Sequence, residues 1–421
     1  MTFESLGLTP ELLHAVKARQ YAEPTTVQVQ AIPAVSGGGD VLVLAQTGSG
    51  KTVAYTLPLL QRLQTEQGGA GKTRRVKILV LVPTRELSSQ VGQTMEALAE
   101  HLPKPLKIAV IYGGASINPQ MMHLRGGADV VISTPGRLLD LLDNNALQLS
   151  DVQTLVLDEA DRLLDLGFAD EIKRILALLP AHRQNLFFSA TFPPAVKKLA
   201  LTLLHEPVRI AISDIVANNP DIVQRAIQVE SNKRTRLLAH LVREQQWGRV
   251  LVFVATRYAS DTVAAKLQKA GIKAAAFNGD ASQGARQQLL TDFKAGQLQV
   301  LVATDLAARG IDVEGLPAVV NYDLPRSADD YIHRIGRTGR AGASGVAISF
   351  ILAEHELHFR LIEKRQGKRV LRETIAGYEP VMLAAAVDAA TLPDTAPTGG
   401  IKGKRKSKKD KLRELAARTD Q

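Results

Sequence analysis

Val41-Leu42-Val43-Leu44-Ala45 runs without a break into Gln46-Thr47-Gly48-Ser49-Gly50-Lys51-Thr52. A short apolar run of this kind suits a strand buried on both faces of a parallel sheet, and the glycine-rich turn after it suits the start of a helix. The same rhythm recurs outward from this point. In the first half, residues 78–82, 108–111, 130–132, 154–157 and 185–188 are apolar runs, each followed by a polar turn and a helix-like stretch. Strands alternating with helices make βαβ units, so the expected fold class is α/β with an open parallel sheet.

The rhythm pauses over 205–220, which holds two prolines and the polar positions Ser213, Asn218 and Asn219. An interdomain linker is expected over 209–220. Alternation resumes at 227–229, 250–254, 274–277, 300–304, 318–321 and 345–352. The reading is therefore two tandem parallel-sheet domains, 1–208 and 221–368, followed by an extension over 369–421 expected to be flexible. Residues 381–400 are mostly Ala, Thr, Pro and Gly and contain no Lys or Arg, a linker composition.

Composition narrows the function classes. Hydrophobic residues are 45% of the 421 and charged residues 22%, which excludes a wholly disordered or collagen-like chain. The absence of cysteine removes disulfides, thiolate metal sites and cysteine nucleophiles, and fits a reducing compartment. No run approaches the roughly 18 apolar residues of a membrane span. The opening MTFESLGLTPELL lacks a basic leader, so a soluble cytoplasmic protein is expected. The net charge is +10, of which residues 401–421 supply +6. A basic end so concentrated suits either polyanion binding or plain solubilisation.

The turn at 45–52 is a short form of the P-loop, without the first glycine of G-x-x-x-x-G-K-[ST]. Gly48 and Gly50 let successive N–H groups around Ser49 face inward, and the helix that follows presents its positive end to the same spot. Lys51 supplies a point charge for β- and γ-phosphates, and Thr52 a hydroxyl for Mg²⁺. A second group of acids, Asp158-Glu159-Ala160-Asp161, ends the run 154–157. Open α/β sheets bind ligands at that carboxyl edge. Asp158 is placed to orient hydrated Mg²⁺, and Glu159 to polarise a water for attack on a γ-phosphate.

Asp158-Glu159-Ala160-Asp161 spells DEAD, and with the loop at 45–52 it makes the chain similar to the DEAD-box RNA helicases of superfamily 2. The resemblance runs from Phe3 to about Leu352, with motifs in the family's order, and implies two RecA-like domains. Pro24-Thr25-Thr26-Val27-Gln28 resembles the Q motif; the resemblance implies that Gln28 reads the adenine edge and that Phe3 packs on its face, hence a preference for ATP. Ser189-Ala190-Thr191 resembles the SAT motif, which with Asp161 and His333 would couple hydrolysis to strand separation. ATDLAARGID, ending at Asp312, resembles motif V, in which Asp312 would hold the ribose. HRIGRTGR, from His333 to Arg340, resembles motif VI.

Arg337 and Arg340 lie three apart and share a face on a helical turn. They belong to the second domain, while Lys51 and Glu159 belong to the first. If they reach the γ-phosphate, catalysis is complete only when the domains close. Such an arginine finger is worth about 10³–10⁵ in turnover in well-studied NTPases.

The resemblance also implies an RNA surface. It is made of Thr84, Arg85, Gly114, Thr134, Gly136 and Arg137 in the first domain, and Gln283, Arg286 and Thr304 in the second. Aromatic residues are only 4% of the chain, so backbone contacts should dominate over base stacking, and binding should ignore sequence. Ribosomal or mRNA-processing complexes are the partners the family implies. Two positions depart from the pattern: Gln20 precedes Tyr21 where the Q motif usually has glycine, and Asn278 stands where many members have histidine. Small effects are expected from both. The opening FESLGL and the basic end look most like bacterial RhlE-type members. Unwinding or remodelling driven by ATP is the expected function; an ATP-gated RNA clamp with little unwinding, or a DNA translocase, would carry the same motifs.

Overall fold

Two seven-stranded, fully parallel sheets wrapped by helices carry the chain in the computed structural model, which describes residues 1–380 apart from 47, 66–73, 213–221, 309–312, 314 and 340–343. The first sheet comprises β1 (Val41–Leu44), β2 (Ile78–Leu81), β3 (Ile108–Ile111), β4 (Val130–Ser133), β5 (Thr154–Leu157), β6 (Gln184–Ser189) and β7 (Val208–Ala211). The second comprises β8 (Ile222–Gln228), β9 (Val250–Val254), β10 (Ala274–Phe277), β11 (Val300–Thr304), β12 (Ala318–Asn321), β13 (Gly345–Ile351) and β14 (Arg372–Glu373). Their spatial orders, β3-β4-β2-β5-β6-β1-β7 and β10-β11-β9-β12-β13-β8-β14, are the same order repeated. The two halves are copies in topology without being copies in sequence.

Alternate residues of each strand feed the cores on opposite faces, which is why the runs are apolar throughout. In β1, Val41 and Val43 pack on one face and Leu42 on the other; in β6, Leu186 and Phe188 share the first face and Phe187 the second. Each such side chain, fully buried, contributes about 1.5–3 kcal/mol. The rings of Tyr55 and Phe188 meet at 5.1 Å, so the helix Lys51–Thr65 is packed down behind the glycine turn.

Two strands fall where none was expected. β7 occupies residues assigned to the start of the 209–220 linker: it pairs with β1 as an edge strand, and of its four residues only Ile210 is buried. β14 lies beyond 368, in the extension expected to be flexible. It pairs Arg372 and Glu373 with Ala226 and Ile227. Arg372 also bonds Glu356 at 3.0 Å and Glu363 at 2.8 Å, and Tyr378 stacks against His240. The second sheet thus gains a strand past 368, anchored by charged side chains and not by an apolar run. Residues 213–220 of the linker and residues 381–421 lie outside the described residues.

Candidate active site and nucleic-acid groove

The helix Thr26–Ser36 begins with a capping box. Thr25 Oγ1 accepts from Gln28 N at 3.3 Å, and Gln28 Oε1 accepts from Thr25 N at 3.0 Å. The same two side chains hold the glycine turn. Thr25 Oγ1 donates to the Ser49 carbonyl at 2.7 Å, and Gln28 Nε2 donates to that of Gly50 at 3.3 Å. Gly50 sits at φ 88°, where a side chain is strained, and a Cβ would meet Gln28 Nε2 at 2.5 Å. Gln28 is therefore part of the loop's scaffold, a role its motif resemblance did not state.

Lys51 opens the next helix and is buried. Its Nζ donates to the carbonyls of Ala45 at 2.6 Å and Gln46 at 3.0 Å. Burial pulls its pKa down, opposed by the charges of Asp158 and Glu159. One turn further, Tyr55 donates its hydroxyl to Asp158 Oδ2 at 2.9 Å. Tyr55 was absent from the expected site, although its i+4 spacing from Lys51 puts both on one helix face. Burial, and then Asp158, hold its pKa well above the ordinary value, so it stays a donor.

Asp158 and Glu159 leave the carboxyl end of β5, as expected. Asp158 Oδ1 accepts from the Glu159 N–H at 2.9 Å. Burial pushes its carboxyl up to about 6 against the pull of Lys51. A buried carboxylate facing a phosphate loop, beside the Thr52 hydroxyl, fits Mg²⁺, which prefers one or two carboxylates plus substrate oxygens to an all-protein cage. No cluster of three or more His, Asp or Glu side chains suited to a metal occurs among the described residues. Glu159 is left-handed, at φ 50° and ψ 52°. Its Oε2 has Arg162 Nε at 3.3 Å and makes no hydrogen bond among the described residues.

Asp161 joins this turn to the end of β6. Its Oδ2 accepts from Thr191 N at 3.0 Å and Thr191 Oγ1 at 2.8 Å, while its own N–H donates to Ser189 Oγ. Burial works upward on its carboxyl, but His333, Thr191, Arg162 and Lys51 together hold it below the ordinary value. His333 sits in a small pocket with Arg162 of the first domain and Arg334 and Arg337 of its own. Burial, then the Arg162 charge, depress its pKa to about 3; the ring is neutral near pH 7. Arg334, the first arginine of the motif, is structural: it grips Asp305 through two bonds of 2.6 Å and lies over Phe253.

These groups surround a cleft of about 620 Å³. Gln20, Tyr21, Gln28, Gly48, Gly50, Lys51, Thr52, Asp158 and Glu159 line it from the first domain, and Arg337 enters from the second. Phe3 does not line it. Its ring is buried in the first core with Leu6, Leu8 and Leu12, and the aromatic in the cleft is Tyr21. Gln20 has φ 57°, a left-handed conformation that explains a preference for glycine there. Asn278 is buried and bonds Ser260 and Asp261, both at 3.0 Å. Asp312 and Arg340 lie outside the described residues.

A second cavity, of about 470 Å³, crosses both domains. Thr84, Arg85, Gly114 and Thr134 line it from the first, Arg286 and Thr304 from the second. Thr84 caps the helix Arg85–Ala99, accepting from Leu87 N, and Arg85 donates to the Gly114 carbonyl. Gly136 and Arg137 do not line it: Arg137 turns to the Ala115 carbonyl at 2.7 Å. The side chain of Gln283 is outside the described residues. Arg286, expected to contact RNA, lines the cavity while paired with Glu86 of the first domain at 3.0 Å. Phe168, Arg257 and Leu306, none foreseen, also line it.

Comparison with known proteins agrees with this geometry. A family model described as "DEAD/DEAH box helicase" matches residues 25–199, and one described as "Helicase conserved C-terminal domain" matches 232–342. The chain is 43% identical over 373 residues to ATP-dependent RNA helicase DeaD of Mycobacterium tuberculosis, covering 88% of itself and 64% of that protein. It thus spans under two thirds of that relative's length. It is 38% identical to DEAD-box ATP-dependent RNA helicase CshA of Bacillus cereus, covering 88% of itself and 69% of the relative. Among solved structures it resembles S. cerevisiae Dbp5 bound to RNA and ADP BeF3, with TM-score 0.77 and 30% identity, over 89% of this chain and 95% of the other.

Proposed function

Because the chain belongs to the DEAD-box helicase family, we propose that it is an ATP-dependent RNA helicase: an RNA-dependent ATPase that grips RNA by its backbone and locally unwinds short duplexes or remodels RNA–protein complexes. The observation that carries this reading is that Arg337 of the second domain lines one cleft with Lys51, Asp158 and Glu159 of the first.

In this account the N–H groups of 48–52 and the Lys51 ammonium bind the β- and γ-phosphates of ATP. Glu159 polarises the attacking water, and Arg337 meets charge developing on the transferred phosphoryl group. Arg340 shares that role by family resemblance, as Asp312 does the ribose contact. Thr52 and Asp158 would hold Mg²⁺, whose charge offsets that of the phosphate oxygens when it is bound. The Asp161–Thr191–Ser189 bonds and His333 tie the cleft to the domain interface. RNA lies in the second cavity, touching Thr84, Arg85, Gly114, Thr134 and Thr304; Gly136, Arg137 and Gln283 belong to this surface by resemblance. ATP and RNA each favour the closed pair, and release of phosphate reopens it. The names of DeaD and CshA and the ligands bound to Dbp5 support the reading.

The finer parts of the proposal are a cytoplasmic location, an RhlE-type subgroup, and ribosomal or mRNA-processing partners. No helix among the described residues is long and apolar enough to cross a membrane.

Substituting Glu159→Gln tests the reading. ATP and RNA binding should persist while turnover falls about 10²–10⁴-fold, the usual worth of a positioned base. RNA-stimulated turnover that survived would reject Glu159 as the activating group.

A further inference from the structure

Gln20 combines three properties. It is one of five non-glycine residues at positive φ among the described residues, and one of two, with Glu159, that line the nucleotide cleft. It closes the helix Pro10–Ala18: its N–H donates to the Lys17 carbonyl at 2.9 Å, and that of Tyr21 to Val16 at 3.2 Å. Glycine normally occupies such a left-handed position, because a Cβ there is strained. Its carboxamide makes no hydrogen bond among the described residues, unlike that of Gln28, whose Oε1 and Nε2 each bond a neighbouring backbone group.

Strain kept in a cleft points to a use for the side chain. The phosphate end of the cleft is already supplied by Gly48, Gly50 and Lys51. Gln20 lines the same cleft, beside Tyr21 and together with Gln28, and base and ribose remain to be held there. Gln28 has one donor and one acceptor position already spent on the protein. We propose that Gln20 is a nucleotide-recognition residue, its free carboxamide supplying a further hydrogen bond to the base or ribose of ATP.

This inference rests on the ATPase reading, so the wild-type protein is the first control: absence of RNA-stimulated ATP turnover would reject that reading and not this one alone. With turnover present, Gln20→Gly is measured for KM, kcat, thermal midpoint, and inhibition by inorganic triphosphate, which has phosphates and no base or ribose. The expected result is a KM for ATP raised about three- to tenfold, the worth of one neutral hydrogen bond. The kcat and the inhibition constant of triphosphate should be unchanged, and the midpoint unchanged or higher. An unchanged KM would overturn the proposal. So would equal weakening of ATP and triphosphate, which would mean that the loop had moved.

Discussion

Arg286 of the second domain and Glu86 of the first form a 3.0 Å ion pair whose side chains are only 9% and 7% exposed. Arg286 also stacks on Phe277 of its own domain at 4.8 Å. The pair is buried only while the domains are together, so removing one partner strands a desolvated charge in the closed state alone.

Arg286→Ala should therefore hinder closure more than folding. Leaving a buried charge unpaired costs about 3–5 kcal/mol, so RNA-stimulated kcat/KM should fall about 100-fold or more. The thermal midpoint without ligands should shift little. Removing Glu86 as well should restore part of the activity. A double variant no better than the worse single one would show that the pair is incidental.

Two buried groups should give stability opposite dependences on pH. His333 binds its proton less readily folded than unfolded, its pKa being near 3 instead of 6.5. Its contribution is present above 6.5 and lost as pH falls toward 3. Asp158 is raised from 3.8 to about 6, so its contribution is present below 3.8 and lost as pH rises through 6. Measured as thermal midpoint between pH 4 and 6, Asp158→Asn should lose stability faster than wild type on acidification, and His333→Asn more slowly. The difference is at most about 1.4 kcal/mol per pH unit for each group. Parallel profiles would contradict these environments.

Deleting residues 401–421, with their nine Lys and Arg, should weaken RNA affinity and flatten its salt dependence. The slope of log affinity against log salt falls by roughly 0.7 for each phosphate no longer neutralised on a single strand. An unchanged slope would assign the basic end to solubility.

The sequence made the fold legible where strands are buried on both faces. β3, β5, β9, β10, β11 and β12 have the expected bounds, because nothing but a two-sided core explains runs such as Thr154–Leu157. β7 and β14 escaped because edge strands need no such run: Val208–Ala211 buries one side chain, and Arg372–Glu373 is held by ion pairs. That Lys51, Thr52, Asp158 and Glu159 would meet in one cleft was readable from loop chemistry and strand ends. Tyr55 could have been found from its helical spacing to Lys51. Glu86 with Arg286 could not, since two hundred residues of chain separate them and only the closed arrangement brings them together. Phe3 was misplaced because an aromatic near the amino terminus carries no local sign of whether it faces a cleft or a core.

The direct test of a cleft shared between two domains is their approach in solution. The chain has no cysteine, so Lys173→Cys and Lys269→Cys, one exposed position in each domain, would carry a fluorophore pair without competition. Energy transfer should rise when ATP and RNA are added together, more than with either alone, and Arg286→Ala should blunt the rise. Transfer that stays level with both ligands bound, while ATP is still hydrolysed, would contradict the account.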